Sequence, residues 1–360
     1  MNCILKYLIL FCCLQNPLFT AQIATFYGPI EVDEPVLLEL IESSSFQRLK
    51  FIHQYGVAYY TTHPEEYTRY EHSLGVFAIL RLKKASLEEQ IAGLLHDVSH
   101  TTFSHVGDWI FGKQSKEKDY QNSIHGLFLE RYGLSAILEK YHFSVDQILP
   151  LEDLFPMLEK KGPALCADRI EYNIQGAYHQ GIITHDEAMQ IIADLQFIDG
   201  DWVSTNVGLM TKLSHFSLFM TQNCWGSAAN YLTSHWLAQA ILRGVDLGFI
   251  TYDDIHFGID ETVWNILINC QDSIIQKLMK MVLFADSYYS FVDASEADMI
   301  IKSKFRGIDP LIILDGKKTL LSLIDSAFCE EYNKTKEKME RGWAIRIHEP
   351  AYALVRPEGL

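Results

Sequence analysis

Apolar residues recur at helical spacing along most of the chain, and this pattern predicts a mainly α fold. Val36, Leu37, Leu40 and Ile41 share one helix face after the segment 33–35, which ends in a proline suited to a first helical turn. Strand patterns are short, at 203–209 and 343–348. We therefore expect a helical bundle, with further helices over residues 73–82, 87–98, 126–141, 163–177, 185–196, 213–243, 263–284 and 318–341.

A junction at 302–315 divides the helical part from a charged helix and a short tail. It contains Gly307 and Pro310, which interrupt regular structure. We therefore predict a main domain over residues 25–300 and a small α/β C-terminal appendage over residues 301–360.

The first 24 residues differ from the rest of the chain. Lys6 precedes an apolar run at 7–14, Pro17 follows it, and Ala21 and Ala24 are candidate cleavage points. This arrangement is typical of a secretory signal peptide, which would direct the protein to the periplasm or outside the cell. The alternative is a hydrophobic N-terminal strand or helix of a cytoplasmic protein.

Charge and cysteine content exclude two classes of function. The chain has 30 Lys and Arg against 46 Asp and Glu, a formal net charge of −16. General binding to a nucleic-acid backbone needs clustered basic residues, so it is not expected, although a local pocket for a small phosphate is compatible with this balance. The 7 cysteines form no C-x-x-C pair, which excludes a zinc ribbon.

Two histidines and two carboxylates form the candidate metal site: His72, His96, Asp97 and Asp168. The His-Asp doublet directly follows the apolar run 91–95, where an unpaired carboxylate would be costly to bury. A mixed nitrogen and oxygen set suits one divalent transition metal, namely Fe, Mn, Zn or Co. Such an ion makes hydroxide available near neutral pH, which favours hydrolysis of a phosphate ester.

More titratable residues surround the doublet: His100, His105, Asp108 and His125. Taken singly, each histidine is more simply a surface or hydrogen-bonded structural residue. The segment 96–105, however, places three histidines in ten residues beside a carboxylate. Packing alone does not require that clustering, so we expect an acid–base group next to the metal.

Four sequence blocks then carry a resemblance to a known family. They are residues 46–50 (FQRLK), 69–76 (RYEHSLGV), 91–97 (IAGLLHD) with 103–105 (FSH), and 168–172 (DRIEY). Their order and spacing, from about residue 27 to 181, resemble the HD superfamily of metal-dependent phosphohydrolases, in the branch of the deoxynucleoside triphosphate triphosphohydrolases.

The resemblance implies an HD-domain helical bundle and a role for each matched residue. The metal ligands would be His72, His96, Asp97 and Asp168, and Mg²⁺ could accompany the substrate. The proton-transfer group would be His100, His105, Asp108 and His125. The substrate contacts would be Arg69 at a phosphate, Gln47 and Leu49 near the sugar and base, Tyr172 beside the sugar, and Arg169. Members of the family often form homo-oligomers.

Three departures from the family pattern concern the substrate. Gly126 replaces a glutamate, and Gln175-Gly176 replaces an Arg-Asp pair that would hold a phosphate and the sugar hydroxyl. The stretch 221–229, where the family is basic, has no Lys, Arg or His. The resemblance therefore implies a retained metal centre with fewer contacts for a deoxynucleotide and its triphosphate.

Three functions stay open at this stage. The first is an active phosphohydrolase on a small phosphate ester, such as a nucleotide with a less charged tail. The second is a deoxynucleoside triphosphate triphosphohydrolase, and the third is a catalytically silent module that binds a metal or nucleotide. An iron oxygenase would need ligands for a second metal, for which only His100 and His125 are candidates.

Overall fold

The computed structural model describes residues 20–64, 67–112 and 120–349. These residues form sixteen α-helices and nine short strands, so the mainly α fold class is confirmed. The helices are α1 (Pro35–Glu42), α2 (Ser44–Gln47), α3 (Arg69–Leu82), α4 (Leu87–Leu95), α5 (Gly107–Phe111), α6 (Tyr120–Arg131), α7 (Leu134–Lys140), α8 (Ala167–His179), α9 (His185–Asp194), α10 (Val207–Asn223), α11 (Ala228–Asp246), α12 (Tyr252–Phe257), α13 (Asp260–Ile268), α14 (Ser273–Leu283), α15 (Leu321–Ile324) and α16 (Ser326–Arg341). The strands are β1 (Ala21–Thr25), β2 (Gly28–Val32), β3 (Gln196–Ile198), β4 (Asp201–Ser204), β5 (Tyr289–Phe291), β6 (Met299–Ile301), β7 (Leu311–Leu314), β8 (Lys317–Leu320) and β9 (Trp343–Ile347).

The strands form three small sheets. Strands β1 and β2 pair as an antiparallel hairpin, the second sheet has the order β3-β4-β7-β8, and the third has the order β5-β9-β6. Strand β7 runs parallel to β4, with Val203 opposite Leu311, and β9 runs antiparallel to β5, with Tyr289 opposite Ile347. Segments after residue 300 therefore pair with segments before it, and the domain boundary at residue 300 stays a prediction.

Several predicted helices are divided in the structure by breaks that apolar periodicity does not reveal. Gly133, with a φ of +79°, separates α6 from α7 within the predicted helix 126–141. Helix α10 ends at Asn223, and Ser227 Oγ starts α11 by accepting from the Asn230 N–H at 3.1 Å. Gly226 fits this turn because a Cβ there would lie 2.1 Å from the Thr221 carbonyl oxygen. Asp272 divides the predicted helix 263–284 by capping α14. A capping residue or a close backbone approach is decisive at each of these points.

The strand predictions are confirmed in part, and the signal-peptide prediction is not tested. The predicted strand 203–209 ends early, since β4 covers Asp201–Ser204 and Asn206 caps the start of α10. The predicted helix 318–341 begins only at Leu321, after β8, and is divided into α15 and α16. Residues 1–19 of the predicted signal peptide lie outside the described residues, and Ala21–Thr25 forms β1, which packs on α3. Cleavage of the signal peptide stays a prediction. Among the described helices, none combines the length and the apolar content that crossing a bilayer requires.

Two hydrophobic clusters support the molecule. One includes buried residues of α1, α3, α4, α8, α9, α10 and α16, and the other includes buried residues of α5, α11, α13, α14 and the third sheet. Residues of both clusters line a large cavity: Cys224 belongs to the first cluster, and Phe103 and Val106 belong to the second. The cavity therefore lies where the two clusters meet.

Helices α3 and α8 pack closely because Gly75 leaves room for a carboxylate. A Cβ at Gly75 would lie 2.2 Å from Oε1 of Glu171, which is fully buried. The glycine in the block 69–76 is therefore required by the approach of a side chain, and a larger residue would push the two helices apart.

We expect Gly75→Ala to lower the free energy of unfolding by about 1–3 kcal/mol, as overpacking does in a dense interior. Gly126→Ala on α6 is the matched control, since a Cβ there would meet its nearest side-chain neighbour at 3.8 Å. That control should be neutral or stabilising by about 0.5–1 kcal/mol. Urea unfolding of both variants measures the difference, and equal stabilities would contradict the packing account.

Candidate metal centre and active site

Helix α3 brings Arg69 and His72 into the interior. Its first turn is fixed by a capping box in which Thr68 Oγ1 accepts from the Glu71 N–H at 3.3 Å and Glu71 Oε2 accepts from the Thr68 N–H at 2.8 Å. Arg69 and His72 are three residues apart, so they occupy one face of the helix, and both are buried. The helix start therefore sets the position of a cation and an imidazole together.

The His-Asp doublet directly follows the last turn of α4, and Asp168 lies in the first turn of α8. Ser86 caps α4, with its Oγ accepting from the Glu89 N–H at 3.2 Å, as expected. The Glu89 carboxylate does not complete a capping box. It accepts instead from the N–H groups of Met157 and Leu158, at 2.8 and 3.1 Å, and so ties α4 to the segment that leads to α8.

Three of the four predicted metal ligands converge on one point. His72 Nε2 lies 3.1 Å from His96 Nε2 and 3.0 Å from Asp168 Oδ1, and His96 Nε2 lies 3.6 Å from the same Asp168 oxygen. Their ligand atoms all lie within 4.8 Å of one another, so His72, His96 and Asp168 form a group able to hold a metal ion. The structure thus confirms the prediction that a His and Asp group able to hold a metal ion is present, and the identity of the metal stays open.

The hydrogen bonds of the two imidazoles fit a metal in this position. His96 Nδ1 donates to the Gly93 carbonyl oxygen at 2.7 Å, and His72 Nδ1 donates to the Glu171 carboxylate. When both imidazoles are neutral, each Nε2 would therefore direct a lone pair at the other Nε2. A proton can bridge two nitrogens, whereas a divalent cation satisfies both nitrogens and the nearby carboxylates at once. Burial lowers the pKa of His72, but Glu171, Asp168 and Asp97 outweigh it and raise the pKa to about 10, so the site favours positive charge.

Asp97, the fourth predicted ligand, lies beside this group. Its Oδ1 is 3.6 Å from His96 Nε2 and its Oδ2 is 3.6 Å from His72 Nε2. Arg69 donates to Oδ2 through Nη1, and also to Ser104 Oγ through Nε at 2.8 Å. Burial raises the pKa of Asp97, but the Arg69 guanidinium holds it well below its usual range. Arg69 lines the cavity, yet its charge is already paired with this carboxylate.

Glu171 is a positioning residue that the sequence analysis did not identify. Its Oε2 accepts from His72 Nδ1 and from the Tyr67 hydroxyl, and its Oε1 accepts from Gln175 Nε2. It lies three residues after Asp168 on the same helix, a spacing that could have indicated a shared face. Gln175, one of the departures from the family pattern, therefore supports the carboxylate behind His72.

Arg48 is a second residue whose role the sequence left unassigned. Its guanidinium donates to the carbonyl oxygens of His100, Val98 and Gly258, at 2.6, 3.2 and 3.1 Å. It thereby fixes the loop that follows the His-Asp doublet. The neighbouring residues Gln47 and Leu49, predicted to contact substrate, do not line the cavity: Gln47 Nε2 donates to the Ile41 carbonyl oxygen at 2.7 Å, and Leu49 is fully buried in the core.

The predicted proton-transfer residues divide into two groups. His100, His105 and Asp108 line the cavity, while His125 is buried behind the doublet, where its Nδ1 lies 2.9 Å from Ser99 Oγ. The rings of His100 and His105 are 5.1 Å apart, and His105 Nδ1 lies 3.2 Å from Asp108 Oδ2. His100 Nε2 is 3.3 Å from Asp97 Oδ1, which connects this group to the candidate metal centre.

The cavity beside the centre has a volume of about 1030 Å³. Arg169 and Tyr172 line it as predicted; Arg169 also donates to the Ala164 carbonyl oxygen at 3.1 Å, and Tyr172 packs edge-on against Trp225 with ring centroids 5.6 Å apart. The sequence analysis did not identify other lining residues, among them Gln54, Tyr55, Trp109 and Tyr231.

Gly176 lies next to Tyr55, at another departure from the family pattern. A Cβ there would lie 3.1 Å from the Tyr55 hydroxyl oxygen and 3.1 Å from the Phe216 ring. The acidic side chain expected at this position would therefore compete for space with the tyrosine. The stretch 221–229 contributes Cys224 and Trp225 to the cavity wall and, as its sequence predicts, no cation.

Comparisons with known proteins match one family model and several relatives. The HD domain family model matches residues 69–149. The uncharacterized protein YdhJ of Bacillus subtilis is 30% identical over 321 residues, covering 89% of this chain and 97% of YdhJ. The metal-dependent phosphohydrolase cns2 of Cordyceps militaris is 39% identical over 170 residues, or 47% of this chain and 48% of cns2.

Two further similarities are more distant. The deoxynucleoside triphosphate triphosphohydrolase SAMHD1 of Mus musculus is 26% identical over 259 residues, covering 55% of this chain and 39% of that protein. A hypothetical protein from Aquifex aeolicus has a similar crystal structure, with a TM-score of 0.64 at 16% identity, covering 88% of this chain and 99% of that one. The latter supports the fold alone.

We expect Glu171→Gln to weaken metal binding by about 10–100-fold, because a neutral amide makes the His72 imidazole a poorer ligand. Glu330→Gln is the matched control, because its exposed carboxylate on α16 has Lys334 as its one ion-pair partner among the described residues. Competition with a chromophoric chelator measures the affinity, and His72→Ala should remove stoichiometric metal altogether. Wild-type affinity in Glu171→Gln, with an unchanged circular dichroism spectrum, would refute the positioning role.

Proposed function

Because the chain belongs to the HD-domain family of metal-dependent phosphohydrolases, we propose that it hydrolyses a phosphate ester of a small molecule, a nucleotide or a related compound. The observation that carries the proposal is the convergence of His72, His96 and Asp168. His96 and Asp168 line the cavity, as do His100 and His105. The proposed fourth ligand is Asp97. A divalent ion held there would lower the pKa of a bound water and neutralise charge on a phosphoryl oxygen.

His105 is suited to transfer a proton to or from the substrate. Asp108 fixes its Nδ1, which leaves Nε2 for the reacting oxygen, and its side chain is half exposed in the cavity. His100, which lies between His105 and Asp97, is held by the Asp97 carboxylate. The two imidazoles therefore form a short path from the candidate metal centre to the open cavity. His125 lies too deep to touch substrate and would act through its neighbours.

The aromatic residues of the cavity suit a flat organic group. Trp109 and Tyr231 pack edge to face with ring centroids 4.5 Å apart, and Tyr172 and Trp225 form a second pair. Ring faces of this kind stack on a nucleobase. Gln54 offers an amide at the same cavity, and its Oε1 makes no hydrogen bond with the described residues. These features support a nucleotide rather than a simple sugar phosphate.

A second candidate is the hydrolysis of deoxynucleoside triphosphates to the nucleoside and tripolyphosphate. The similarity to SAMHD1 favours it, and the absence of cations from 221–229 argues against it. A non-catalytic binding module is the third candidate, and the convergence of the ligand group argues against it. Assembly into a homo-oligomer stays a prediction.

Product analysis separates these candidates. The Mn²⁺- or Fe²⁺-loaded protein is incubated with nucleoside monophosphates, deoxynucleoside triphosphates and a generic phosphodiester. Release of orthophosphate from a monophosphate supports the first candidate, and release of tripolyphosphate supports the second. No turnover of any compound by protein with bound metal would overturn the proposed function.

We expect His105→Ala to lower kcat by about 10²–10⁴-fold, the range that a positioned acid or base contributes, while the bound metal is retained. His215→Ala is the control, because His215 pairs with Glu331 at the surface of α10. Steady-state kinetics and metal analysis measure the two quantities. Full activity of His105→Ala would show that this histidine does not transfer the proton. Loss of the bound metal would show that His105 contributes to metal binding instead.

A further inference from the structure

The turn between His100 and His105 has a strained backbone. Phe103 and Ser104 have φ values of +57° and +55°, in the left-handed region that residues other than glycine rarely adopt. Such a conformation persists only where the surrounding structure holds it. Because the turn 101–104 lies between two histidines that line the cavity, the groups that hold this turn also set the positions of both imidazoles.

The carboxylate of Asp260, the first residue of α13, holds this turn. Its Oδ1 accepts from the Phe103 N–H at 2.6 Å, and its Oδ2 accepts from the His53 N–H at 2.9 Å. We propose that Asp260 is a positioning residue for the reaction: it holds the turn against the segment that carries His53, and so places His105 for proton transfer. The inference rests on the proposed function and concerns a residue outside the four sequence blocks of the family.

The chemistry of Asp260 fits a link between two backbone segments. The residue is fully buried, where a carboxylate is costly unless hydrogen bonds satisfy it. Burial raises its pKa to about 7, while the N–H groups of Phe103 and His53 and the Arg48 guanidinium favour the ionised form. A carboxylate offers one acceptor oxygen to each N–H group, whereas the amide of asparagine has one acceptor and one donor. The two N–H groups therefore account for an acidic side chain at this buried position.

The turn and the segment that Asp260 joins also contact each other directly. Ser104 Oγ donates to the His53 carbonyl oxygen at 2.8 Å. A Cβ at Gly56 would lie 2.6 Å from the Phe103 carbonyl oxygen, so the two backbones approach closely there. A displacement of the turn is therefore opposed from both sides, by the carboxylate and by this close packing.

The chain just before α13 contacts the same loop at two more points. The Thr102 N–H donates to the Ile255 carbonyl oxygen at 2.9 Å. Arg48 connects the loop to the Gly258 carbonyl oxygen, to which it donates at 3.1 Å. The converging metal-ligand group lies on α3, directly after α4 and on α8. A change in the segment 255–260 can therefore displace the cavity histidines without removing a metal ligand.

Steady-state kinetics of Asp260→Asn test the proposal, with Asp309→Asn as the matched control. Asp309 is also buried and accepts from the N–H and the hydroxyl of Ser322, at 3.0 and 2.6 Å, but it does not line the cavity. The probe is a p-nitrophenyl phosphodiester with Mn²⁺-loaded protein. We expect Asp260→Asn to lower kcat by about 10²-fold, the effect of a misplacement of about 1 Å. Its KM should change by less than about threefold, with the metal content unchanged. Asp309→Asn should keep the wild-type kcat.

A second variant displaces the same turn from the opposite side and leaves Asp260 intact. Gly56→Ala places a Cβ against the Phe103 carbonyl oxygen at a φ of +53°. Its control is Gly181→Ala, with a φ of +68°, where the added Cβ would meet no described atom within 4 Å. We expect Gly56→Ala to lower kcat as Asp260→Asn does, and Gly181→Ala to keep it. This pair decides the question if Asp260→Asn does not fold.

Amide hydrogen exchange separates this inference from the proposed function, because it needs no turnover. We expect the amides of the turn 101–104 to exchange at least about tenfold faster in Asp260→Asn than in the wild type or in Asp309→Asn. Wild-type kcat or unchanged exchange in Asp260→Asn would overturn the positioning role, as would loss of metal. If exchange behaves as expected but the wild type hydrolyses no phosphate ester, the proposed function fails and the link through Asp260 stands.

Discussion

Two imidazole nitrogens that face each other in a buried site constrain the rest of this molecule. His72 Nε2 and His96 Nε2 meet at 3.1 Å, with Asp97 and Asp168 beside them. Glu171 and the Gly93 carbonyl oxygen hold the two Nδ1 atoms, so the Nε2 atoms of both imidazoles point to the same place. Buried carboxylates without compensating positive charge would destabilise the fold. Arg69 supplies part of that charge, and a divalent cation bound there would supply the rest.

The surrounding structure serves this arrangement. Gly75 lets α3 approach α8 closely enough for Glu171 to reach His72, and Arg48 holds the loop that carries His100 by three backbone carbonyl oxygens. The histidines of that loop then face a cavity whose other walls come from α11 and the segment after β6. The same packed helices hold the candidate metal ligands and close the cavity. A substitution that loosens this packing would therefore lower both the stability of the fold and the activity.

The sequence predicted the convergence of three candidate ligands, because they lie in short motifs on or beside regular helices. His72, His96 and Asp168 are brought together as expected, since a helix turn fixes the direction of each side chain. The substrate contacts could not be predicted to the same degree. Gln47 and Leu49 are adjacent to a motif but face away from the cavity, and Lys302 reaches it through the pairing of β6 with β9, a long-range contact that no local pattern encodes. Helix breaks at Gly133 and Gly226 were missed because apolar periodicity continues across them.

The central claim is that one divalent metal is held by the imidazoles of His72 and His96 and the carboxylates of Asp97 and Asp168. X-ray absorption spectroscopy of the metal-loaded protein tests it most directly. For bound Zn²⁺ we predict only nitrogen and oxygen neighbours at about 2.0–2.2 Å, with the multiple scattering of two imidazoles. Cys166 lies near Asp168 and Glu159 and offers the alternative ligand. A sulfur neighbour at about 2.3 Å, or a spectrum without imidazole, would contradict the account.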